Sequence, residues 1–569
     1  MRILGIHDGH NAAAALVVDG RCVAAVQEER LNRVKNWSGF PARSIARVLE
    51  LGGCAIVDVD HVAFNGHHMP YPKSREEILQ EYERTGSVGT TLKRFLKTIG
   101  LKTLHRERRK RERLAAATAL GFPAAKIEFV DHHTCHAAAA YYGQSHIKDP
   151  VLVLTNDGAG DGLCATVSLG RDGKLDRLAS VPESDSIGNL YAMTTFLMGM
   201  IPLEHEYKLM GLAPYAPEKG RDLVSADLQR LMSFPPDEPF VWRRSSACPE
   251  TYYSYEFLHE LFRLRRFDWI AAGLQDFTER MLTQWVDRCI KRAGVRRVAL
   301  SGGVFMNVKA NQLILELDDV ESAAVFPSCG DETNAMGAAW WKHAQESLRR
   351  GGDAGTVPLG HLYLGTGFAE EEIGRAIEEF ATKFRVQQPP DLEDAVAELL
   401  ARGEVVARFD GRAEFGARAL GNRSILANPS RTDSVRTINE MIKSRDFWMP
   451  FAPSILAERM DAYVVNPKRV PSPYMILTFK TTERRAEISA ALHPYDLTAR
   501  PQEVRADWNP GYHRLISCFE KRTGIGAVLN TSFNLHGFPI VETPTDALEV
   551  LRDSGLKWLA IGRMLVGKG

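Results

Sequence analysis

The sequence has no excess of charge of either sign, no long apolar run and no paired cysteine spacing. Its 71 Lys and Arg residues balance 71 Asp and Glu residues, so no overall field attracts nucleic acid or an acidic membrane. No apolar stretch is long enough to span a bilayer, and the N-terminus lacks the features of a signal peptide. Eight scattered cysteines are typical of reduced thiols. We therefore expect a cytoplasmic protein that binds neither nucleic acid nor membranes.

The length of 569 residues is more than one hydrophobic core usually organises, so two or more domains are expected. The stretch RRGGDAGTVPLG, at 349–360, is rich in Gly and Pro and is typical of a linker. Beyond it the pattern changes to amphipathic helices such as LEDAVAELLARG. We predict one domain over residues 1–350 and a second over residues 358–569.

Two stretches of the first domain share one strand pattern. RILGIHD, AAAALVVDG and RCVAAVQEE read as three strands, with a hairpin turn at Asp19-Gly20. Residues 151–181 repeat this pattern with a turn at Asp172-Gly173. The repeat indicates an internal duplication, although chance recurrence of common hairpin chemistry would give the same pattern. Duplicated three-stranded units with inserted helices are the layout of actin-like (ASKHA) ATPases, so we predict an α/β fold of this type.

His132 and His136, in DHHTCHAAAAYY, lie four residues apart, which on a helix puts both imidazoles on one face. Histidines that are merely hydrogen-bonded or exposed would fit the same spacing. Asp157 and Asp331 both lie at predicted strand or loop ends. Two imidazoles and two carboxylates suit Fe(II), Mn or Zn, with positions left open for a ligand. These four residues are therefore our predicted metal ligands.

Two further motifs of the first domain are candidate site residues. Asp8 and His10 close the first strand, where an actin-like fold has its cleft, and His10 is a candidate general base for a substrate hydroxyl. A capping or loop histidine is the simpler alternative. Gly302 and Gly303 would let backbone amides approach an anion at a helix start. With Asn307 of the same SGGVFMN motif, they are candidate nucleotide-binding residues.

Basic side chains of the second domain lie beside Gly, Ser, Asn and Thr in turn-rich contexts. They are Arg412, Arg418, Arg423, Lys443, Arg445 and Arg500. Guanidinium forks and an ammonium beside polar loops suit several phosphate oxygens, whereas exposed solubilising groups are the alternative. A separate segment, 93–113, holds ten basic residues and two acids. It is either a solvated helical surface or a dock for an anionic substrate or RNA.

Motifs along nearly the whole chain resemble those of the O-carbamoyltransferases of the NodU/CmcH type. They are GIHDGHNAAAALVVDG, QEERLNRVKNWSGFP, DHHTCHAAAAYY, NDGAGDG, SIGNLYAMTT, EYKLMGLAPY, SGGVFMN, GRAEFGARALGNRSIL, MPFAPSIL and NTSFNLHGFPIV. A single motif such as SGG is not specific, but the ordered set is. The resemblance implies an actin-like N-terminal domain and a C-terminal α/β domain similar to YrdC.

The resemblance also implies a two-step reaction. The C-terminal domain activates carbamoyl phosphate with ATP and Mg²⁺ to carbamoyladenylate and releases pyrophosphate. The N-terminal domain then transfers the carbamoyl group to a hydroxyl of a small molecule, which is an antibiotic-type natural product or a glycan. A homodimer is expected.

The family's functional residues correspond to positions of this chain. Its metal, with Fe²⁺ favoured over Mn²⁺ or Zn²⁺, maps onto His132, His136, Asp157 and Asp331, and its base maps onto His10. Its C-terminal site maps onto Lys443, Arg445, Ser532 and Asn534, and further anion-binding arginines map onto Arg418 and Arg500. Arg423 and Asn530 are further candidate binding residues. We expect Lys443 and Arg445 to act in catalysis, and the whole set to bind ATP and carbamoyl phosphate.

Four positions depart from the family pattern. Asn11 replaces an acid, Met449 an arginine, Leu497 a glycine and Phe538 an acid. If the acid at position 11 orients the base, Asp8 is the candidate to replace it. Two alternative functions stay open: a fusion protein that transfers threonylcarbamoyl to tRNA, with 93–113 as its RNA dock, and a non-catalytic actin-like nucleotide-binding protein.

Overall fold

The computed structural model describes residues 1–85, 101–144, 147–443 and 446–568. The chain forms two compact units. Unit 1 comprises residues 1–28 and 36–359, and unit 2 comprises residues 29–35 and 360–569. Within the described ranges, no helix combines the length and apolar character that crossing a bilayer requires.

Unit 1 contains two five-stranded sheets. The first has the order β3-β2-β1-β4-β5, and its strands are β1 Arg2–His7, β2 Ala13–Val18, β3 Arg21–Gln27, β4 His61–Asn65 and β5 Ile127–Val130. The strands that follow are β6 Val151–Gly160, β7 Leu163–Arg171, β8 Lys174–Pro182, β9 Met232–Ser233, β10 Arg243–Arg244, β11 Arg297–Ser301 and β12 Ser322–Val325. The second sheet has the order β12-β11-β6-β7-β8, while β9 and β10 form a separate ribbon.

The two sheets have the same topology. In each, the first three strands form an antiparallel meander, and the last two strands run parallel to the first strand and to each other. Both predicted hairpin turns are present, with φ of 46° and 79° at Asp19 and Gly20 and of 52° and 75° at Asp172 and Gly173. Positive φ at both central residues matches the twist of the flanking strands. The predicted duplication and the actin-like α/β fold are confirmed.

Helices connect and cover these sheets. Those described up to the end of unit 1 are α1 Glu28–Asn32, α2 Ala42–Leu51, α3 Arg75–Thr85, α4 Leu101–Ala119, α5 His132–Tyr142, α6 Ile187–Leu197, α7 Glu206–Leu212, α8 Glu218–Gln229, α9 Tyr255–Leu261, α10 Phe267–Ala293, α11 Val308–Glu316 and α12 Asn334–Arg349. Helices α5 and α12 approach closely, because a Cβ added at Gly337 would lie 1.9 Å from the Cys135 carbonyl oxygen. The turn that precedes α12 is thereby brought to the start of α5.

Unit 2 is built on one mixed eight-stranded sheet. Its strands are β13 Phe384–Gln387, β14 Val406–Phe409, β15 Arg423–Ala427, β16 Ala452–Leu456, β17 Gln502–Val504, β18 Ala527–Ser532, β19 Trp558–Ile561 and β20 Met564–Lys568, in the order β13-β20-β19-β14-β15-β18-β16-β17. Its helices are α13 Glu370–Glu379, α14 Leu392–Ala401, α15 Thr432–Ile438, α16 Met460–Tyr463, α17 Pro510–Thr523 and α18 Pro544–Asp553. Buried side chains such as Ile425, Leu529 and Leu559 form its core. The prediction of an α/β C-terminal unit is confirmed.

Residues 29–35 belong to unit 2 although they follow the first three strands of unit 1. Arg30 donates a 2.7 Å hydrogen bond to the Gly416 carbonyl oxygen, and Arg33 donates one of the same length to the Ile540 carbonyl oxygen. The two arginines therefore fasten this segment to two separate loops of unit 2.

Candidate functional site

Four side chains of unit 1, from α5, from β6 and from the turn before α12, lie close together. His132 and His136 lie one turn apart on α5, Asp157 lies on β6, and Asp331 begins the turn before α12. Each offers one ligand atom, and these four atoms lie within 4.8 Å of one another. The shortest separations are 3.0 Å from His132 Nε2 to Asp157 Oδ2 and 3.3 Å from His136 Nε2 to Asp331 Oδ1. The four residues predicted as metal ligands are thus brought together.

Charges within this cluster shift the pKa values of His132, His136 and Asp157. Burial disfavours a charged imidazole, but the carboxylates of Asp331 and Asp157 outweigh it and raise the pKa of His132 to about 9. They raise the pKa of His136 as well. Burial opposes ionisation of Asp157 too, yet the two histidines hold its pKa well below the usual range. Two carboxylates facing two imidazoles within this span suit a divalent cation, which would take the place of two protons.

Polar groups behind the cluster hold its members. The Asp131 carboxylate caps α5 by accepting the Thr134 backbone N–H at 2.8 Å, which fixes the start of the helix. His136 Nδ1 lies 3.3 Å from the Ser301 hydroxyl, and the Gly303 N–H donates to Asp157 Oδ1 at 3.2 Å. A hydrogen-bonded partner behind a ligand fixes its orientation.

The Gly-Gly turn predicted to bind a nucleotide lies against this cluster. Gly302 has φ of 106°, and a Cβ there would lie 2.2 Å from the Asn156 carbonyl oxygen, so only glycine fits. Asn307 begins α11 by accepting the Ala310 N–H, and its side chain pairs in both directions with Gln275 at 2.9 Å. Their role in nucleotide binding stays a prediction.

His10, the candidate base, is oriented by groups that the sequence did not indicate. Its Nε2 lies 3.3 Å from the carbonyl oxygen of Leu203, a residue with φ of 64°. Its own carbonyl oxygen accepts a 2.8 Å hydrogen bond from His7 Nε2, while Asn65 Nδ2 donates to His7 Nδ1 at 2.8 Å. His7 Nε2 also lies 4.0 Å from Asp331. Because a carbonyl oxygen only accepts, the contact with Leu203 is a hydrogen bond in the tautomer that carries the proton on Nε2.

Asp8 has a different environment from the one we expected. Its buried carboxylate accepts hydrogen bonds from Arg109 at 3.2 Å and from Arg113 at 3.0 Å. Arg113 also donates to the Asn65 and Gly66 carbonyl oxygens. These contacts anchor α4 to the first sheet, and a role of Asp8 in orienting His10 stays a prediction. Arg109 and Arg113 lie in the basic segment 93–113, and as buried groups they do not contribute to an RNA dock.

Two segments that carry residues predicted for the C-terminal site contact the loop at 411–422. Asn530 Nδ2 donates to the Ala419 carbonyl oxygen at 3.2 Å, and Gln502 Nε2 donates to the Leu420 carbonyl oxygen at 2.8 Å. The strand that leads to Ser532 and the segment that follows Arg500 therefore both touch the loop that carries Arg418. Ser532 donates to Asn534 Oδ1 at 2.7 Å.

The Arg423 side chain is surrounded by backbone carbonyl oxygens and an aromatic ring. It is fully buried, it donates to the Asp410, Thr366 and Gly411 carbonyl oxygens, and its guanidinium lies 3.7 Å from the centre of the Phe409 ring. Burial lowers its pKa to about 10. Arg412 likewise donates to the Leu364 and Gly365 carbonyl oxygens. The predictions for Arg445 and for the Lys443 side chain lie outside the described residues.

All four departures from the family pattern can be described from the structure. Asn11 and Leu497 have left-handed backbones, with φ of 60° and 57°. Phe538 is 53% exposed, and its carbonyl oxygen accepts a hydrogen bond from Asn534. Met449 is partly buried, and its N–H donates to the Asp446 carbonyl oxygen. None of these contacts explains why the family's usual residue is replaced.

Comparison with known proteins matches both parts of the chain. A family model described as the carbamoyltransferase N-terminus matches residues 2–340, and one described as the carbamoyltransferase C-terminus matches residues 397–568. An uncharacterized protein of Synechocystis is 32% identical, over 98% of this chain and 95% of its own length.

Two named relatives extend this comparison. The nodulation protein NolNO of Sinorhizobium fredii is 32% identical over 98% of this chain and 79% of its own length. The 3'-hydroxymethylcephem-O-carbamoyltransferase of Amycolatopsis lactamdurans is 31% identical over 46% of this chain and 47% of its own length. With both of its halves matched, the chain belongs to the carbamoyltransferase family of enzymes.

Proposed function

We propose that this enzyme is an ATP-dependent O-carbamoyltransferase of the NodU/CmcH type. The observation that carries the proposal is the cluster of His132, His136, Asp157 and Asp331 in a chain whose two halves both match the family. The acceptor would be a hydroxyl of a small-molecule natural product or a glycan. The printed name of the cephem relative, an O-carbamoyltransferase, supports oxygen as the atom that is carbamoylated.

The first step would take place in unit 2. Carbamoyl phosphate, ATP and one water give carbamoyladenylate, phosphate and pyrophosphate: the carbamate oxygen bonds to the α-phosphorus as pyrophosphate leaves. Arg418, Arg500, Lys443 and Arg445 would offset the repulsion between the two polyanions and the charge that develops on phosphorus. Ser532 and Asn534, hydrogen-bonded to each other, would orient the substrates.

The second step would take place in unit 1. His10 would accept the proton of the acceptor hydroxyl as its oxygen bonds to the carbamoyl carbon and AMP leaves. The Leu203 carbonyl and His7 hold His10 in place for this task. A divalent cation held by His132, His136, Asp157 and Asp331 would polarise the carbamoyl carbonyl when bound. The metal identity and a dimeric assembly are part of the proposal.

The test of the first step needs no acceptor. Purified protein is incubated with ATP and Mg²⁺, and pyrophosphate release is followed with and without carbamoyl phosphate. We expect release only with carbamoyl phosphate, and a loss of at least about 100-fold in Lys443→Ala, because one cation that stabilises a phosphoryl transition state is worth about 3 kcal/mol. Lys521→Ala, an exposed change on α17, is the matched control.

Two other results would contradict the proposal. Release that depends on threonine would favour the threonylcarbamoyl alternative. ATP binding without any release, in folded protein with metal bound, would favour the non-catalytic alternative.

A further inference from the structure

Three parts of unit 2 meet around Arg423. The Phe533 N–H donates to the Arg423 carbonyl oxygen, and the Val541 N–H donates to the Phe533 carbonyl oxygen, both at 2.9 Å. Glu542 directly follows Val541. Two backbone hydrogen bonds, through Phe533, therefore connect the segment that carries Glu542 to Arg423. Glu414 Oε1 accepts a hydrogen bond from the Arg423 backbone N–H at 3.2 Å.

The segment 29–35 contacts the same part of unit 2. Arg33 donates to the carbonyl oxygen of Ile540, two residues before Glu542, and Arg30 donates to the carbonyl oxygen of Gly416, two residues after Glu414. The charges of Arg30 and Glu542 both act on Arg33 and on Arg423. Arg30 thus belongs to the same group as the two glutamates.

Buried charged atoms of this group lack hydrogen-bonding partners. Arg30, Glu414 and Glu542 are each only 3% exposed. Within the described part of the chain, no group bonds to Arg30 Nη1, to Glu414 Oε2 or to Glu542 Oε1. Among the described residues, Arg30 Nε has no hydrogen-bonding partner either, and it lies 3.7 Å from Glu29 Oε1. Because an unsatisfied buried charge is costly, native proteins rarely keep one without a partner.

The chemistry of these atoms selects one kind of ligand. Arg30 Nη1 can only donate a hydrogen bond, whereas the carboxylate oxygens of Glu414 and Glu542 can only accept one. A phosphate group only accepts and would be repelled by the glutamates, and an ammonium only donates and would be repelled by Arg30. A primary amide offers a carbonyl oxygen and two N–H groups in one plane, so it satisfies both.

We propose that Arg30, Glu542 and Glu414 form the subsite that binds the carbamoyl amide of carbamoyl phosphate. Arg30 donates to the carbamoyl oxygen, and the glutamates accept from its NH₂ group. This inference rests on the proposed function for its substrate, and it makes a segment from before residue 36 part of the C-terminal site.

The subsite would select against other acyl phosphates. An acyl phosphate that carries a methyl group instead of NH₂ would leave a buried carboxylate without a donor. A site built to bind a donor rejects an analogue that lacks it, since the unpaired group keeps its desolvation cost.

The test compares two stable phosphonates that differ only at this group. Binding of phosphonoacetamide and of 2-oxopropylphosphonate to the full-length protein is measured by calorimetry. We expect the wild-type protein to prefer the amide by about 10-fold or more, because hydrogen bonds to charged groups contribute at that level. Glu542→Gln and Arg30→Lys should each reduce this preference to about 2-fold or less while still binding the ketone.

Two further variants separate recognition from architecture. Arg33→Lys disturbs the same segment but changes no unpartnered atom, and Glu549→Gln changes an exposed glutamate on α18. Both should keep the full preference for the amide. Melting temperatures identify any variant that has lost its fold. If either Arg30→Lys or Glu542→Gln fails to fold, the other variant decides the test.

Specific results would overturn the inference. Equal binding of the two phosphonates by the wild-type protein would do so, as would a preference that survives both Glu542→Gln and Arg30→Lys; buried water would then satisfy these atoms. Failure of the proposed function would look different. In that case pyrophosphate release would not depend on carbamoyl phosphate, whatever the two phosphonates show.

Discussion

Leu497 has a backbone conformation that suits glycine. Its φ of 57° lies in the left-handed region, where a side chain with a Cβ is strained by about 1 kcal/mol. The resemblance identifies glycine as the family's usual residue here. We therefore expect Leu497→Gly to raise the free energy of unfolding by up to about 1 kcal/mol, measured by urea unfolding.

The control for this change is a leucine with ordinary helical backbone. Leu223 is 40% exposed on α8, and Leu223→Gly should lower the free energy of unfolding by about 1 kcal/mol. A loss of similar size in Leu497→Gly would show that the leucine side chain itself stabilises the loop.

Glu206 makes stability depend on pH. Burial raises the pKa of its carboxyl to about 7, despite the backbone N–H of Leu203 that donates to it. Its folded pKa therefore exceeds the unfolded value of about 4.5, so the folded state keeps a proton that the unfolded state releases. We therefore expect the contribution of Glu206 to stability to fall as pH rises from about 4.5 to 7 and to stay level above that.

Replacing this carboxyl should remove that dependence. We expect Glu206→Gln to match the wild-type protein near pH 4.5 and to exceed it by about 1–3 kcal/mol at pH 8, measured by urea unfolding across this range. The exposed Glu260→Gln should follow the wild-type curve. An identical pH dependence in Glu206→Gln would contradict the assignment.

Some residue environments could be predicted from the sequence and others could not. His132 and His136 are close in the chain, and helix geometry alone puts them on one face. The partners of Asp8 lie 101 and 105 residues away along the chain, and no local pattern announces such a pairing. The orientation of His10 by Leu203, 193 residues away, depends on tertiary contacts in the same way.

At the scale of elements, the metal cluster depends on how closely α5 and α12 pack. Gly337 allows the contact, since a Cβ there would lie 1.9 Å from the Cys135 carbonyl oxygen. Gly337→Ala should force the two helices apart, lower the free energy of unfolding by about 3 kcal/mol and displace Asp331 from the two histidines. Bound metal, measured by mass spectrometry after reconstitution with Fe²⁺, should fall well below the wild-type content.

Two reference variants calibrate this measurement. Asp157→Asn removes a carboxylate from the cluster and gives the metal content of a broken site. Gly374→Ala places a Cβ on α13 where no atom lies within 4 Å, so it should leave metal content unchanged and raise stability by up to about 1 kcal/mol. Full metal content in Gly337→Ala would show that the cluster tolerates a wider helix spacing.

Strands and turns could be predicted from the sequence better than the contacts between distant segments. Asp-Gly turns between apolar runs mark hairpins because few residues adopt positive φ at two consecutive positions, and both predicted turns have that geometry. The order of parallel strands in each sheet was not accessible in this way, because those pairings join segments far apart in the chain.

At the scale of the whole molecule, the chain passes into unit 2 twice. It enters at residues 29–35, returns to unit 1 at residue 36 and enters again at residue 360. The Gly- and Pro-rich composition near residue 350 indicates a boundary there, but nothing in the composition of residues 29–35 does. Their place in unit 2 depends on the carbonyl groups that Arg30 and Arg33 reach, which lie 386 and 507 residues away.

This double passage has a consequence for protease digestion. A single cut in the exposed stretch at 351–353 would yield two fragments, and the shorter one would lack seven residues of its own fold. Residues 29–35 would belong to the longer fragment by sequence but would stay packed in the fold of the shorter one. The nicked halves would therefore migrate as one species until denatured, and a gene truncated to begin at residue 360 would encode an incomplete fold.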